Sequence, residues 1–164
     1  MTRHALADFH TTTLKTWIGG YRNRPEEWTE PNNWYPTGVP GWSDKVIVGG
    51  YGTHRCHVAT PTDDVSALSV LPGASLVIGE RGRLTVDGLR ADPLGLLGDS
   101  GVSNAGLIRV SGELSLRNAA LRGIHNTGLI INEGRIYADA SISACDEDWG
   151  RYRDLGHRVF LLPT

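Results

Sequence analysis

The sequence predicts an all-β chain folded as a short parallel β-solenoid, and two observations carry this prediction. Residues 104–108 (NAGLI) return as 126–130 (NTGLI), and residues 112–116 (GELSL) return as 134–138 (GRIYA), both at a spacing of 22 residues (126 − 104 and 134 − 112). The chain also combines 21 Gly and 8 Pro with many Val, Ile and Leu and one Met, a composition that disfavours a helical bundle. A period in the low twenties, with short β-type runs between Gly and Asn, is typical of one solenoid coil.

Length and charge set limits on the partners. The 164 residues suit one domain, large enough to bury a substantial core. A net charge of −2, from 16 basic and 18 acidic residues, predicts no nucleic-acid or membrane partner, because it creates no broad positive field. Cys56 and Cys145 stand 89 residues apart (145 − 56), a pattern that favours two free thiols and leaves a pairing open. No apolar run suits a signal peptide or a membrane span.

The N-terminal segments are predicted to be an arm and a cap. Residues 1–15 read as an extended arm, in which Thr11, Thr12 and Thr13 favour extended backbone and are predicted to contact a partner. The single solenoid domain then covers residues 16–164, and its first part, 16–45, holds four Pro and four of the five Trp. Such a segment suits a cap over the open end of a solenoid.

The four tryptophans of this cap are assigned two roles. Trp17 and Trp34 are predicted to be core residues. Trp28 and Trp42 stand beside polar or Gly neighbours and are predicted to contact a partner, since exposed aromatic side chains form recognition surfaces.

Residues 46–140 are predicted to form the coils, with strands near 46–48, 56–58, 65–70, 76–78 and 84–86 bounded by Gly, Pro or Asp. Residues 90–103 read as an inserted loop, whose Leu94, Leu96 and Leu97 are predicted to fold back or to meet a partner. Residues 141–164 read as a C-terminal cap, with a short helical turn around 146–153 and a last strand at 159–162.

The cap and first coils resemble a known family. The segments WIGG at 17–20, PNNW at 31–34, GVP at 38–40 and DKVIV at 44–48 resemble the opening of the Trp/Asn-Trp-opened β-solenoid repeat family of bacterial and phage surface proteins. The resemblance covers roughly residues 16–90 and implies a right-handed solenoid, but little about chemistry. In this family such openings commonly sit in long exported proteins. A short chain without a visible signal peptide is instead expected in a virion, made in the host cytoplasm.

The sequence predicts no catalytic residue, metal or cofactor. In the segment HRCH at 54–57, a strand would place Cys56 on one face and Arg55 and His57 on the other, so that a buried Cys beside exposed His is favoured over a zinc site. Carboxylates near turns could cleave glycosides only as a pair about 5–10 Å apart, and a turn-capping role is favoured; these are Asp63, Asp64, Asp87, Asp92 and Asp99. The acidic run 146–148 (DED) is favoured as a solvated cluster over a calcium site.

Asn104 and Asn126 stand one period apart and are predicted to stack and to hydrogen-bond from coil to coil.

These observations favour a non-enzymatic structural protein that docks on a larger assembly. The expected form is a phage capsid decoration (cement) or tail-associated protein, with the major capsid or another virion protein as its partner and a homotrimer as its oligomer. A bacterial surface adhesion or carbohydrate-binding module is the second interpretation, and a polysaccharide-degrading enzyme is the third.

Overall fold

The computed structural model describes residues 13–49, 54–87, 100–117, 122–139, 152–154 and 159–162. The predictions for Thr11, Thr12, Leu94, Leu96 and Leu97 lie outside these residues. The described part is all-β, with no α-helix and one 3-10 helix at Pro31–Asn33. Its strands, in chain order, are β1 (Leu14–Trp17), β2 (Trp34–Tyr35), β3 (Lys45–Val48), β4 (Cys56–Val58), β5 (Ala67–Val70), β6 (Ser75–Ile78), β7 (Arg83–Asp87), β8 (Ser100–Asn104), β9 (Leu107–Val110), β10 (Glu113–Arg117), β11 (Arg122–Asn126), β12 (Leu129–Asn132), β13 (Arg135–Asp139), β14 (Tyr152–Asp154) and β15 (Val159–Leu162).

The strands form three sheets that the chain visits in rotation. Sheet A has the order β11-β8-β5-β3-β1-β2, sheet B has the order β14-β12-β9-β6-β4, and sheet C has the order β15-β13-β10-β7. Every pairing of these strands is parallel except that of β1 with β2. Because β5, β6 and β7 lie in sheets A, B and C, and β8, β9 and β10 repeat this sequence, each passage through the three sheets lies beside the previous one.

The pairing register confirms the period of the sequence repeat. Ile108 pairs with Ile130 and Leu114 with Ile136, and each of these pairs is one period apart in the chain. The same step joins β3 to β5. Between β7 and β10 the step is longer, from Leu84 to Leu114, because the chain segment that contains residues 88–99 intervenes. Ser100–Asn104 is strand β8, so the prediction of a loop over 90–103 is wrong for residues 100–103.

Alternation along the strands places apolar residues in one continuous core. In β12, for example, Ile130 is buried while Leu129 and Ile131 are half-buried. Side chains at equivalent positions of neighbouring strands contact each other, so that each added strand removes apolar surface from water, about 1.5–3 kcal/mol for each such side chain. The core includes polar members: the buried Asn104 Nδ2 donates to Asn126 Oδ1 at 2.8 Å, as predicted.

Near both ends of the chain, the observed strands can be compared with the predicted segments. Leu14 and Lys15 belong to strand β1 and pair with β3, so sheet A begins within the segment predicted as an extended arm. The predicted helical turn around 146–153 is wrong at Tyr152 and Arg153, which belong to strand β14. Residues 146–151 lie outside the described ranges. The predicted last strand at 159–162 is confirmed as β15.

Candidate functional site

Asn33 organises the N-terminal cap, which we define as residues 16–45 with the preceding strand residues of β1. Its side chain is fully buried. Nδ2 donates to the carbonyls of Arg24 (2.6 Å) and Glu27 (3.0 Å), while Oδ1 accepts from the backbone N–H of Tyr21 (2.9 Å). One amide therefore bonds three backbone groups of the irregular segment 21–27, which is how irregular backbone tolerates burial.

Three tryptophans fill the interior of the cap. The ring of Trp34 lies edge-on to those of Trp17 (centroids 5.1 Å apart) and Trp28 (4.8 Å), a geometry that aromatic pairs favour. Trp34 Nε1 donates to the carbonyl of Trp28 at 2.8 Å and Trp17 Nε1 to that of His54 at 3.0 Å. The predicted burial of Trp17 and Trp34 is confirmed. Trp28 is also fully buried, which corrects its assignment as an exposed contact residue.

The cap covers the first strands of sheets A and B. The short strand β2 pairs with β1 and forms the edge of sheet A at the cap. In sheet B, the backbone N–H of His57 donates to the carbonyl of Glu26 at 2.7 Å, and the N–H of Trp28 donates to the carbonyl of His57 at 3.0 Å. A loop of the cap therefore pairs with β4. These contacts occupy backbone groups that would otherwise invite another strand.

Within residues 13–49, 54–87, 101–117 and 124–137, the large hydrophobic side chains that are exposed lie in or beside this cap. Tyr35 is 69% exposed and Trp42 is 51% exposed, and Leu14 and Val39 are each 37% exposed. We call these four residues the cap surface. Clustered exposed apolar groups are characteristic of contact sites, and Tyr and Trp are enriched at protein interfaces.

Two elements hold the cap surface in place. In β1, buried Lys15 and Trp17 alternate with Leu14 and Thr16, and Tyr35 pairs opposite Thr16, so Leu14 and Tyr35 share the outer side of sheet A. The loop that follows β2 contributes the other two side chains. It is fixed to β1 because Lys15 Nζ donates to the carbonyls of Pro36 (2.8 Å) and Thr37 (3.3 Å).

Two titratable groups of this region have perturbed pKa values. The pKa of Glu30 is lowered, first by the backbone N–H of Asn32, which donates to Oε1 at 3.0 Å; the Asn32 side chain and Arg24 add to this effect, and burial opposes it. Burial raises the pKa of Cys56 well above its ordinary value, which makes this free thiol a poor nucleophile.

The other predicted site residues are distributed as follows. Trp42 is exposed, as predicted. Thr13 is half-buried, and its carbonyl accepts from the N–H of Lys45 at 2.9 Å, which fixes its backbone at the edge of the cap surface. Sequence reasoning missed Tyr35, Leu14 and Val39 as exposed apolar residues; alternation with buried Trp34 is the signal that could have identified Tyr35.

The residues considered for catalysis or metal binding do not converge. Cys56 is buried and Arg55 is exposed, as the strand argument predicts, whereas His57 is half-buried and so less exposed than predicted. Arg55 Nε lies 2.9 Å from Glu26 Oε2. Among the described residues no three His, Cys, Asp or Glu side chains are grouped as metal ligands would be. Asp63 is exposed and Asp64 is half-buried. Asp92, Asp99, Cys145 and the run 146–148 lie outside the described residues, and no described helix has the length and hydropathy of a membrane span.

Comparisons with protein-family models, with curated proteins and with solved structures find no match for this chain.

Proposed function

We propose that this protein is a non-enzymatic structural component that attaches to a larger assembly through the cap surface. The carrying observation is the segregation of exposed apolar side chains: Tyr35, Trp42, Leu14 and Val39 lie in or beside the cap, while residues 46–49, 54–87, 101–117 and 124–137 expose no large hydrophobic side chain. Water-exposed aromatic side chains are costly unless a partner covers them.

We further propose that the architecture behind this surface is a short right-handed parallel β-solenoid, in which one passage through sheets A, B and C is one coil. The rotation of the chain through three mainly parallel sheets, and the 22-residue step that joins β9 to β12 and β10 to β13, support this proposal. A solenoid suits a structural role because its rigid stack presents one end to a partner and its flanks to solvent.

The resemblance of the cap to phage and bacterial surface proteins directs the proposal to a virion. The partner would be the major capsid protein or another virion protein, and the protein would attach as a homotrimer, since symmetric shells favour symmetric attachments. The exposed Tyr35 and Trp42 also favour a second candidate, a bacterial surface module that adheres to carbohydrate, because aromatic rings serve as stacking platforms.

Light scattering on the purified protein tests the proposal. We expect the full chain to form a closed oligomer, and the double variant Tyr35→Ser/Trp42→Ser to be a monomer with an unchanged thermal midpoint. Deletion of residues 1–12, which stops short of strand β1, measures the role of the arm. Val77→Ser, on the outer side of sheet B, is the matched control and should leave the mass unchanged. A monomer for the full chain, or an oligomer that survives the double variant, contradicts the proposal.

A further inference from the structure

A groove crosses the turns that join sheet B to sheet C in three successive coils. These turns are residues 79–82, 111–112 and 133–134. The groove encloses about 460 Å³, within the range of ~300–1,000 Å³ typical of ligand sites. Its lining shares no residue with the cap surface.

The floor of the groove is backbone, because three stacked glycines leave no room for side chains. A Cβ on Gly112 would lie 2.2 Å from the carbonyl oxygen of Gly82, and one on Gly134 would lie 2.2 Å from that of Gly112. Each glycine is therefore required by the close approach of the coils. A smooth, side-chain-free floor is the consequence.

The first of these turns is longer than the other two. Four residues separate β6 from β7, whereas two separate β9 from β10 and β12 from β13. In this longer turn the N–H of Gly82 donates to the carbonyl of Gly79 at 2.8 Å. The two central residues, Glu80 and Arg81, line the groove, and Arg81 is exposed.

The walls carry both charges in equal number. Arg83, Glu113 and Arg135 pair in register across sheet C, and Arg83 Nε lies 3.5 Å from Glu113 Oε1. Glu133 lines the other side and is ion-paired with Arg109. With Glu80 and Arg81, the lining holds three glutamates and three arginines. Arg81 and Arg135 make no ion pair with any described residue, so their donors are available.

We propose that this groove binds a neutral polyhydroxylated ligand, a short segment of an uncharged oligosaccharide. A ligand of one charge would meet repulsion from half of the wall residues, and an apolar ligand would remove water from charged groups without replacing their hydrogen bonds. Hydroxyl groups donate to carboxylates and accept from guanidinium groups, so a neutral glycan satisfies both while the existing ion pairs persist. This inference does not depend on the function proposed for the cap surface.

Backbone amide shifts in proton–nitrogen correlation spectra of the full chain test the proposal, with maltotriose, cellotriose and triacetylchitotriose as neutral probes and trigalacturonate as the anionic one. We expect at least one neutral probe to shift the amides of 80–83, 111–113 and 133–135. Arg135→Gln should weaken this binding about tenfold, the value of one hydrogen bond to a charged group. Arg117→Gln, which changes an exposed arginine at the far end of strand β10, should leave it unchanged.

Three results would overturn the groove assignment. The first is the absence of groove shifts with all three neutral probes at concentrations on the order of 10 mM, which excludes even weak binding. The second is a response to trigalacturonate alone, which would show an anion site. The third is a response at the Trp42 indole in place of the groove, which would move sugar binding to the cap surface.

Discussion

Replacing Asn33 with alanine should destabilise the protein more than any other polar substitution in the cap. The side chain is fully buried and makes three hydrogen bonds, to the carbonyls of Arg24 and Glu27 and from the N–H of Tyr21. Alanine removes all three hydrogen bonds; the N–H of Tyr21 loses its acceptor, while the carbonyls of Arg24 and Glu27 keep the N–H groups of Glu27 (3.5 Å) and Glu30 (3.2 Å). Each lost hydrogen bond contributes about 1 kcal/mol net. The expected loss in the free energy of unfolding is therefore about 3 kcal/mol, a large part of the ~5–15 kcal/mol of a typical domain.

Urea unfolding measures this loss. With a slope of about 2 kcal/mol per molar urea, the midpoint of Asn33→Ala should fall by roughly 1.5 M at an unchanged slope. Asn32→Ala is the matched control: Asn32 is exposed, and its side chain makes one hydrogen bond, to Glu30 Oε1 at 3.0 Å. We expect the control to lose less than about 1 kcal/mol. Equal midpoints for the two variants would refute the argument that Asn33 organises the cap.

Further predictions concern the stacked turns, the asparagine pair and pH. Gly112→Ala should lower the free energy of unfolding by about 3 kcal/mol, because its Cβ would overlap backbone that cannot rotate away. The control Gly41→Ala, whose Cβ would have its nearest neighbour atom 3.9 Å away, should change it by no more than about 0.5 kcal/mol. Similar urea midpoints for the two variants would be inconsistent with stacked turns. A double-mutant cycle of Asn104→Ala and Asn126→Ala should give a coupling of about 1 kcal/mol, and additive losses would argue against their hydrogen bond. Because the pKa of Glu30 is lowered, its stabilising contribution is present above the ordinary carboxyl pKa and lost as the pH falls through the lowered one. The urea midpoint of the wild type should therefore approach that of Glu30→Gln as the pH is lowered below the ordinary carboxyl pKa. A difference that grows as the pH falls would contradict this.

The repeat and its register could be predicted because they depend on local chemistry. Asn104 and Asn126 each precede an x-Gly pair, and their side-chain oxygens accept the N–H of Gly106 and Gly128 at 3.1 and 3.2 Å, so the same corner recurs wherever this short pattern recurs. The last strand, β15, could also be predicted, because its apolar run is a local feature of the sequence.

The exposure of individual cap residues could not be predicted, because it depends on contacts distant in sequence. Trp28 is buried partly because its backbone pairs with His57 in strand β4, and its polar neighbours in sequence gave no sign of this. The groove also has no local signature. It is lined by turns of separate passages through the three sheets, and its glycine floor becomes visible only when Gly82, Gly112 and Gly134 are brought together.

Hydrogen–deuterium exchange on the full chain, compared at low and high protein concentration, tests the central claim that the cap surface is the attachment site. The account predicts slower exchange on association in the backbone of residues 35–44 and of β1, with no change in the turns 79–82, 111–112 and 133–134. Equal exchange at both concentrations, or protection confined to those turns or to the outer side of sheet B, would contradict it.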